Sequence, residues 1–405
     1  RWSVRRRPPW RSAADQRRPH QVRRHCIQEI RVSCLSWSFP LLVIVFARQC
    51  QGIGSGFVGS SALPLVAPIK LSAYLPPSCC ASMKPEAAPV PAPGHVDPAV
   101  SMRFVEHPLA KAVAFTGSEK AGRAIFDAAS RRPEPIPAFV EMGSTNPVFV
   151  LPGALGNADS LAAGLFGSIN LGVGQFCTCP GVIVGQKGSD FNALGEKLAA
   201  LFDKGVPGTM LHAGILKSYE TSVQKAADVS GVVSVISHET ADPTHTEAKP
   251  ALFRAVAQTW LDGDELAHEI FGPAAVFVEC GSREELLRVA HRLSGNLTPT
   301  IHGTPDDLKE FRDLIAILET KVGRLLFNGY PTGVEVSSAM HHGGPYPATA
   351  DAKFTSVGTA AILRFLRPIC FQNFPQEVLP IDLRNENPQK IWRTVNGKLT
   401  NEALT

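Results

Sequence analysis

Gly172-Val173-Gly174-Gln175-Phe176-Cys177-Thr178-Cys179-Pro180-Gly181 places two cysteines on a glycine-rich bend. Upstream of it, Leu161, Leu165 and Ile169 recur every four residues beside Ala162 and Phe166, so a helix with one apolar face is expected to run into the glycines and stop. Such a bend can turn a sulfur toward a cavity and bring backbone N–H groups close to an atom bonded to that sulfur, as acyl transfer requires. Read alone, a cysteine between glycines is more often a small buried hydrophobe than a nucleophile.

The segments on either side change that reading. Before the bend lie Phe115-Thr116-Gly117-Ser118 with Gly122, then Glu141-Met142-Gly143-Ser144-Thr145-Asn146-Pro147; after it lie Glu269-Ile270-Phe271-Gly272-Pro273 and Phe327-Asn328-Gly329. In this order and spacing they resemble the signatures of the aldehyde dehydrogenase superfamily: an F-T-G-S turn, an E-L-G-G strand end, a G-Q-x-C-T nucleophile loop and an E-x-F-G-P segment. Pro133-Glu134-Pro135-Ile136-Pro137, the run from Phe327 to Val336, and the run from His342 to Thr349 are similar to the branch that oxidises 2-oxoglutarate semialdehyde, also called 2,5-dioxovalerate. The resemblance extends from about Phe104 to the C-terminus.

The resemblance implies a set of roles. Cys177 is the expected nucleophile, whose adduct with an aldehyde gives up a hydride to NADP or NAD and leaves a thioester. Glu141 is the expected general base for the water that hydrolyses it. Gly117 and Ser118 open a helix whose N–H groups receive the cofactor pyrophosphate. Glu269 holds the nicotinamide ribose and Phe271 packs near the nicotinamide. Arg324, Asn328 and His342, with Thr332 and Gly333, line the substrate entrance, Arg324 suiting a distal carboxylate. No metal ligand set is expected. Cys179 is expected to be a packed neighbour of the nucleophile. The partners implied are a small aldehyde and further copies of the chain in a homo-oligomer, with no nucleic acid and no membrane.

Composition separates the chain into two textures. It has 405 residues, 44% of them hydrophobic and 19% charged, which suits a globular protein with a large core. The first hundred residues carry 13 Lys or Arg against 4 Asp or Glu, a charge of +9, while the rest carries 27 against 32, or −5. Five of the nine cysteines (Cys26, Cys34, Cys50, Cys79, Cys80) fall in that basic part without metal-ligand spacing, and the other four suit a reducing cytoplasm.

Residues 1–103 show Arg clusters and one short apolar run, Phe39 to Ala47, interrupted by Pro40 and too short to span a membrane. No packed domain is expected there; the bias in Arg, Ser, Pro and Cys looks like a mistranslated or replaced segment. Gly54-Ser55-Gly56-Phe57-Val58-Gly59 fits G-x-G-x-x-G, but Pro64 and Pro68 block the helix that must follow and no acid stands about twenty residues on, so it is read as a chance match. A family oxyanion Asn and a cofactor-binding V-V-x-K strand are not recognisable before Phe104, and the chain as written is expected to bind NAD(P) poorly.

Strand and helix patterns alternate from Ala112 onward, which predicts an α/β fold with parallel-rich sheets. The expected organisation is a basic region at 1–103, part of a Rossmann-like NAD(P)-binding domain at 104–141, a catalytic domain at 142–350 and a C-terminal segment at 351–405 that supplies an oligomerisation strand. Two other function classes fit parts of the sequence: an inactive dehydrogenase fragment with a structural role, and a nucleic-acid-binding protein with a basic tail.

Overall fold

The computed structural model describes residues 98–404 and, before them, the backbone of the strands Val22–Arg24, Ile30–Leu35 and Leu41–Ala47. The Gly54 to Gly59 run, the clusters Arg5-Arg6-Arg7 and Arg17-Arg18, and Cys26, Cys50, Cys79 and Cys80 lie outside the described residues. Two compact units form, Glu29–Phe365 and a second made of Arg1–Gln28 with Leu366–Thr405.

A seven-stranded sheet is the frame of the larger unit, in the order Leu326–Phe327, Thr300–His302, Val148–Val150, Val182–Gln186, Ala274–Cys280, Ala251–Val256, Val233–Ile236. Every neighbouring pair is parallel except the last, where Ala251–Val256 meets Val233–Ile236 antiparallel. Its central strands are apolar on both faces because both are covered: Phe149, Val182, Val184 and Val276 enter one core, and Val148, Val150, Ile183 and Phe277 enter the other. The helices Ala158–Asn170 and Ser189–Asp203 close the second core with Leu161, Leu165, Leu194 and Leu198. This is the α/β architecture that the alternating pattern predicts.

A four-stranded sheet holds Ile30–Leu35, Leu41–Ala47, Ala110–Thr116 and Ala138–Glu141, in that order. Only its last pair is parallel. Two of its strands, Ile30–Leu35 and Leu41–Ala47, come from the part of the chain in which no packed domain is expected. An uncovered edge on Ala110–Thr116 would expose a row of peptide groups, and the apolar run Leu41–Ala47 takes that place. The helix Pro98–Glu106 also spans the expected boundary at 103.

Two local expectations are corrected. Leu308, Phe311, Ile315 and Leu318 recur on one helical face and predict a single helix from Asp306 to Lys321; the structure has two, Pro305–Glu310 and Arg312–Glu319, broken at Phe311 (φ −98°, ψ 38°), whose ring is buried in the core with Leu314 and Leu318. The run Ile362 to Phe365 reads in sequence as an extended segment, but it belongs to a 3₁₀ turn, Thr359–Phe365, entered through Gly358 at φ +77°. Asn396-Gly397 is a favoured hairpin turn in sequence, and in the smaller unit Arg393–Val395 and Lys398–Thr400 form that hairpin, with both turn residues at positive φ.

Candidate active site

The helix Ala158–Asn170 ends in three consecutive left-handed residues, Gly172 (φ +56°), Val173 (φ +59°) and Gly174 (φ +64°), which reverse the chain ahead of Cys177. Gly174 is obligatory for a second reason: a Cβ there would stand 2.1 Å from the carbonyl oxygen of Gly272. The loop therefore seats directly on the E-x-F-G-P segment. Val173 is β-branched, and the left-handed region costs such a residue about 1–2 kcal/mol, which its packing against the core and Gly208 offsets.

Asn146 holds the loop from behind. It is fully buried at φ +44°, and its Nδ2 donates to the carbonyls of Cys177 and Cys179, both at 2.9 Å. Its Oδ1 accepts from Ser144 Oγ (2.8 Å) and Thr298 Oγ1 (3.0 Å). Asn296, also buried, fixes the adjoining backbone by accepting from the N–H groups of Thr145 (2.7 Å) and Asn146 (3.1 Å). Sequence reasoning gave neither asparagine a role; Asn146 stands in a quoted motif, while nothing local marks Asn296.

In front of the loop, Cys177 Sγ lies 3.3 Å from His342 Nε2, and His342 Nδ1 lies 3.1 Å from Glu141 Oε2. Glu141 ends the strand Ala138–Glu141 and, like His342, is buried. The His342 backbone is fixed by donation of its N–H to Thr355 Oγ1 (2.9 Å) and by acceptance from the Ser356 N–H (2.8 Å). Ser356 Oγ also approaches Nδ1, at 3.1 Å. Burial pulls the imidazole pKa down, but hydrogen bonds with Cys177 and Glu141 and the charges of both outweigh it and raise the group to about 10. A cavity of about 260 Å³ opens here, lined by Phe115, Thr116, Glu141, Cys177, His342 and Arg364 among others.

Glu141, Cys177 and His342 also form a trio whose ligand-type atoms lie within 4.8 Å of one another. The two ring nitrogens face different partners, sulfur on one side and carboxylate on the other, which suits a proton relay better than one ion held by all three. Cys179 is different from its neighbour: burial first, then the charge of Glu269, pushes its thiol up to about 12, and its Sγ points at the Ile169 carbonyl, 3.5 Å away.

Of the expected cofactor residues, Glu269 lies near the start of the helix that Ser118 caps. The Glu269 carboxylate lies 2.9 Å from where a Cβ on Gly143 would stand, and burial raises it to about 8, with a Ser144 backbone hydrogen bond acting against the rise and the charge of Glu119 adding to it. Glu119 opens the helix Glu119–Arg131, which Ser118 caps through an Oγ that accepts from the Ala121 N–H at 3.4 Å. The Gly117 N–H, expected to face pyrophosphate, instead donates to the Glu141 carbonyl at 3.1 Å, because it continues the strand pairing. Phe271 stands beside Gly272 in the segment that meets the cysteine loop.

The substrate-entrance residues divide. His342 is at the cysteine itself. Arg324 donates to the Pro331 carbonyl at 2.8 Å; burial lowers its pKa while the charge of nearby Cys177 acts the other way. Asn328 exchanges two 2.9 Å hydrogen bonds with the Gly303 backbone, so its amide ties two strand ends together and does not line the cavity. Thr332 bonds Ser168 at 2.8 Å. Ser356 and Arg364, absent from the sequence reading, are at the site.

No helix among the described residues is long and apolar enough to cross a membrane. Among curated proteins, the chain is 45% identical over 303 residues to "Alpha-ketoglutaric semialdehyde dehydrogenase" of Acinetobacter baylyi, covering 74% of this chain and 57% of that protein. It is 44% identical over 307 residues to "Alpha-ketoglutaric semialdehyde dehydrogenase 2" of Azospirillum brasilense, covering 76% and 58%. The chain thus spans just over half the length of the curated relatives it matches. Of solved structures, a 1-pyrroline-5-carboxylate dehydrogenase shares the fold at TM-score 0.58 and 21% identity, over 69% of this chain and 54% of that one. A second, from Thermus with bound NAD, does so at TM-score 0.57 and 21% identity, over 68% and 53%. Residues 90–347 match the aldehyde dehydrogenase family, a span that begins ahead of Phe104 and contains the cysteine loop, the Glu141 strand end and the Glu269 segment. More than half of its length lies within that match, and this chain belongs to the aldehyde dehydrogenase family.

Proposed function

We propose that this chain carries the catalytic part of an enzyme that oxidises an aldehyde to a carboxylic acid, 2-oxoglutarate semialdehyde to 2-oxoglutarate. The observation that carries the reading is Cys177 on a glycine-built loop, its sulfur at a cavity shared with Glu141. The names of the relatives at 44–45% identity support the choice of substrate. Cys177 Sγ adds to the aldehyde carbon, forming an S–C bond, and the loop holds that carbon at the cavity. NAD or NADP, when bound, would supply the acceptor for the hydride that leaves this carbon. The thioester left on Cys177 is hydrolysed by a water whose proton passes to Glu141, freeing the acid and restoring the thiol.

The residues present fit a nicotinamide cofactor in part. Glu269, beside Gly143 and near Glu119, would hold ribose hydroxyls, and the first turn of the helix after Ser118 would take phosphate. Arg324 would meet a distal carboxylate of the substrate. A cytoplasmic homo-oligomer belongs to the same proposal.

The test separates the acyl half of the reaction from the redox half. Purified full chain treated with p-nitrophenyl acetate is expected to gain one acetyl group on Cys177 by mass spectrometry, and Cys177→Ala to gain none. Aldehyde-dependent formation of NADH or NADPH is then followed with 2-oxoglutarate semialdehyde. Acetylation elsewhere than Cys177, or reduction of cofactor by Cys177→Ala equal to wild type, would refute the proposal.

A further inference from the structure

We propose that His342 is the base that ionises Cys177: the thiol proton passes from Sγ to Nε2, and Glu141, bonded at Nδ1, holds the imidazolium so formed. The S–H bond breaks with its electron pair left on sulfur and the proton forms the new N–H bond, so the step needs no oxidant or other reactant. It rests on the reading of Cys177 as the nucleophile, and it gives Glu141 a task before acylation as well as after it.

Geometry assigns each ring nitrogen one duty. The neutral tautomer with its proton on Nδ1, donating to Glu141 Oε2 at 3.1 Å, leaves the Nε2 lone pair facing sulfur at 3.3 Å. The ring is 7% exposed and its backbone is pinned on both sides by Thr355 and Ser356, so it has little freedom to turn away. A buried carboxylate behind a buried imidazole is the arrangement that steadies the positive charge once the proton arrives. The rise of the imidazole pKa to about 10 agrees with this.

Among the described residues, the other charged groups near the site include two arginines and Asp351, an acid that lines an adjoining pocket with Glu141, His342 and Arg364. Arg364 lines the same cavity and its charge is felt at Glu141; Arg324 is near enough for its charge to act on Cys177. Both cations oppose a proton on His342 and both favour a thiolate. The hydroxyl of Ser356, 3.1 Å from Nδ1, is a neutral polar neighbour.

The test is alkylation of the full chain by iodoacetamide, without cofactor or aldehyde, with the modified cysteine identified by mass spectrometry. An unassisted thiol, of pKa about 8.5, is only about 1% ionised at pH 6.5. A paired thiolate is fully ionised there but intrinsically less nucleophilic, so the net advantage is roughly tenfold. His342→Gln is expected to slow alkylation of Cys177 about tenfold at pH 6.5 and to react at least as fast as wild type at pH 9.5, where its own thiol is mostly ionised and more nucleophilic, and Glu141→Gln to act in the same direction. Equal rates for wild type and His342→Gln at pH 6.5 would overturn the proposal. Should that variant fail to fold, wild type alone decides: a rise of less than about threefold from pH 6.5 to 9.5 supports the pair, and a rise near a hundredfold refutes it. Failure to label Cys177 at any pH while another cysteine reacts would instead remove the nucleophile reading itself.

Discussion

Replacing Asn146 with Ala removes the clamp behind the nucleophile loop, and its cost follows from the hydrogen bonds. Asn146 Nδ2 donates to two carbonyls, those of Cys177 and Cys179, and Oδ1 accepts from Ser144 and Thr298, all inside a residue with no solvent exposure. Leaving buried polar groups without partners costs about 1–3 kcal/mol each. Ser144 Oγ has another acceptor in Asn296 Oδ1 at 3.1 Å, so the two carbonyls carry most of the loss. Alanine at φ +44° adds roughly 1 kcal/mol, because it lacks the local tolerance of Asn for the left-handed region. Both carbonyls are only partly buried, so the sum falls in the lower part of that range, about 3–5 kcal/mol. Urea unfolding of the full chain, followed by the fluorescence of buried Trp260, measures it. The loop should also loosen before the core does, so acetylation of Cys177 by ester should fall by more than the unfolded fraction explains. A change under about 1 kcal/mol, with acetylation unaltered, would refute the assignment of Asn146 as the clamp.

Three further outcomes are expected. Gly174→Ala should leave little soluble protein or abolish acetylation of Cys177, since its methyl group would collide with the Gly272 carbonyl backbone; circular dichroism and ester labelling together check it, and near-normal labelling would contradict the close approach. Cys179→Ala should keep most of the acetylation at Cys177, because a thiol held up to about 12 by burial stays protonated and inert at neutral pH; loss of labelling measured by mass would show that Cys179 takes part. Burial lowers His302 to about 4, and its Nε2 has no hydrogen-bond partner, so between pH 6.5 and 4 the unfolded chain binds the extra proton. Its contribution is therefore complete above pH 6.5 and is lost as pH falls to 4, by up to about 3 kcal/mol. His302→Phe should lose less stability than wild type across that window in urea titrations, and parallel curves would refute it.

Much of this protein is legible in its sequence because the signals are local. The four-residue recurrence of Leu161, Leu165 and Ile169 marks the helix Ala158–Asn170, Asn396-Gly397 marks a hairpin, and Ser118 marks a helix start. The order of the cysteine, glutamate and glycine motifs identifies the family before any strand is paired. Local signals also mislead: the apolar stripe from Leu308 to Leu318 reads as one helix, yet the helix breaks at Phe311, whose ring is buried in the core. The stretches Val182–Gln186 and Ala251–Val256, central in the large sheet, are mostly apolar, interrupted by Arg254 and ended by Gln186, and lack the alternation that marks a half-exposed strand.

What only the tertiary structure decides is which distant groups share a proton or a hydrogen bond. His342 is 165 positions from Cys177 and 201 from Glu141, and Asn296 is 150 from Asn146. No periodicity or spacing along the chain encodes such pairs, and the same glutamate that reads as a free base at a strand end is, in the fold, bonded to a histidine. Asn328 shows the converse, an entrance residue by motif whose amide is consumed by the Gly303 backbone. The physical reason is common to both. Helix and turn propensities act over a few residues, whereas the need to satisfy every buried polar atom is met only after the sheets have brought remote segments together, and that settlement assigns the chemistry.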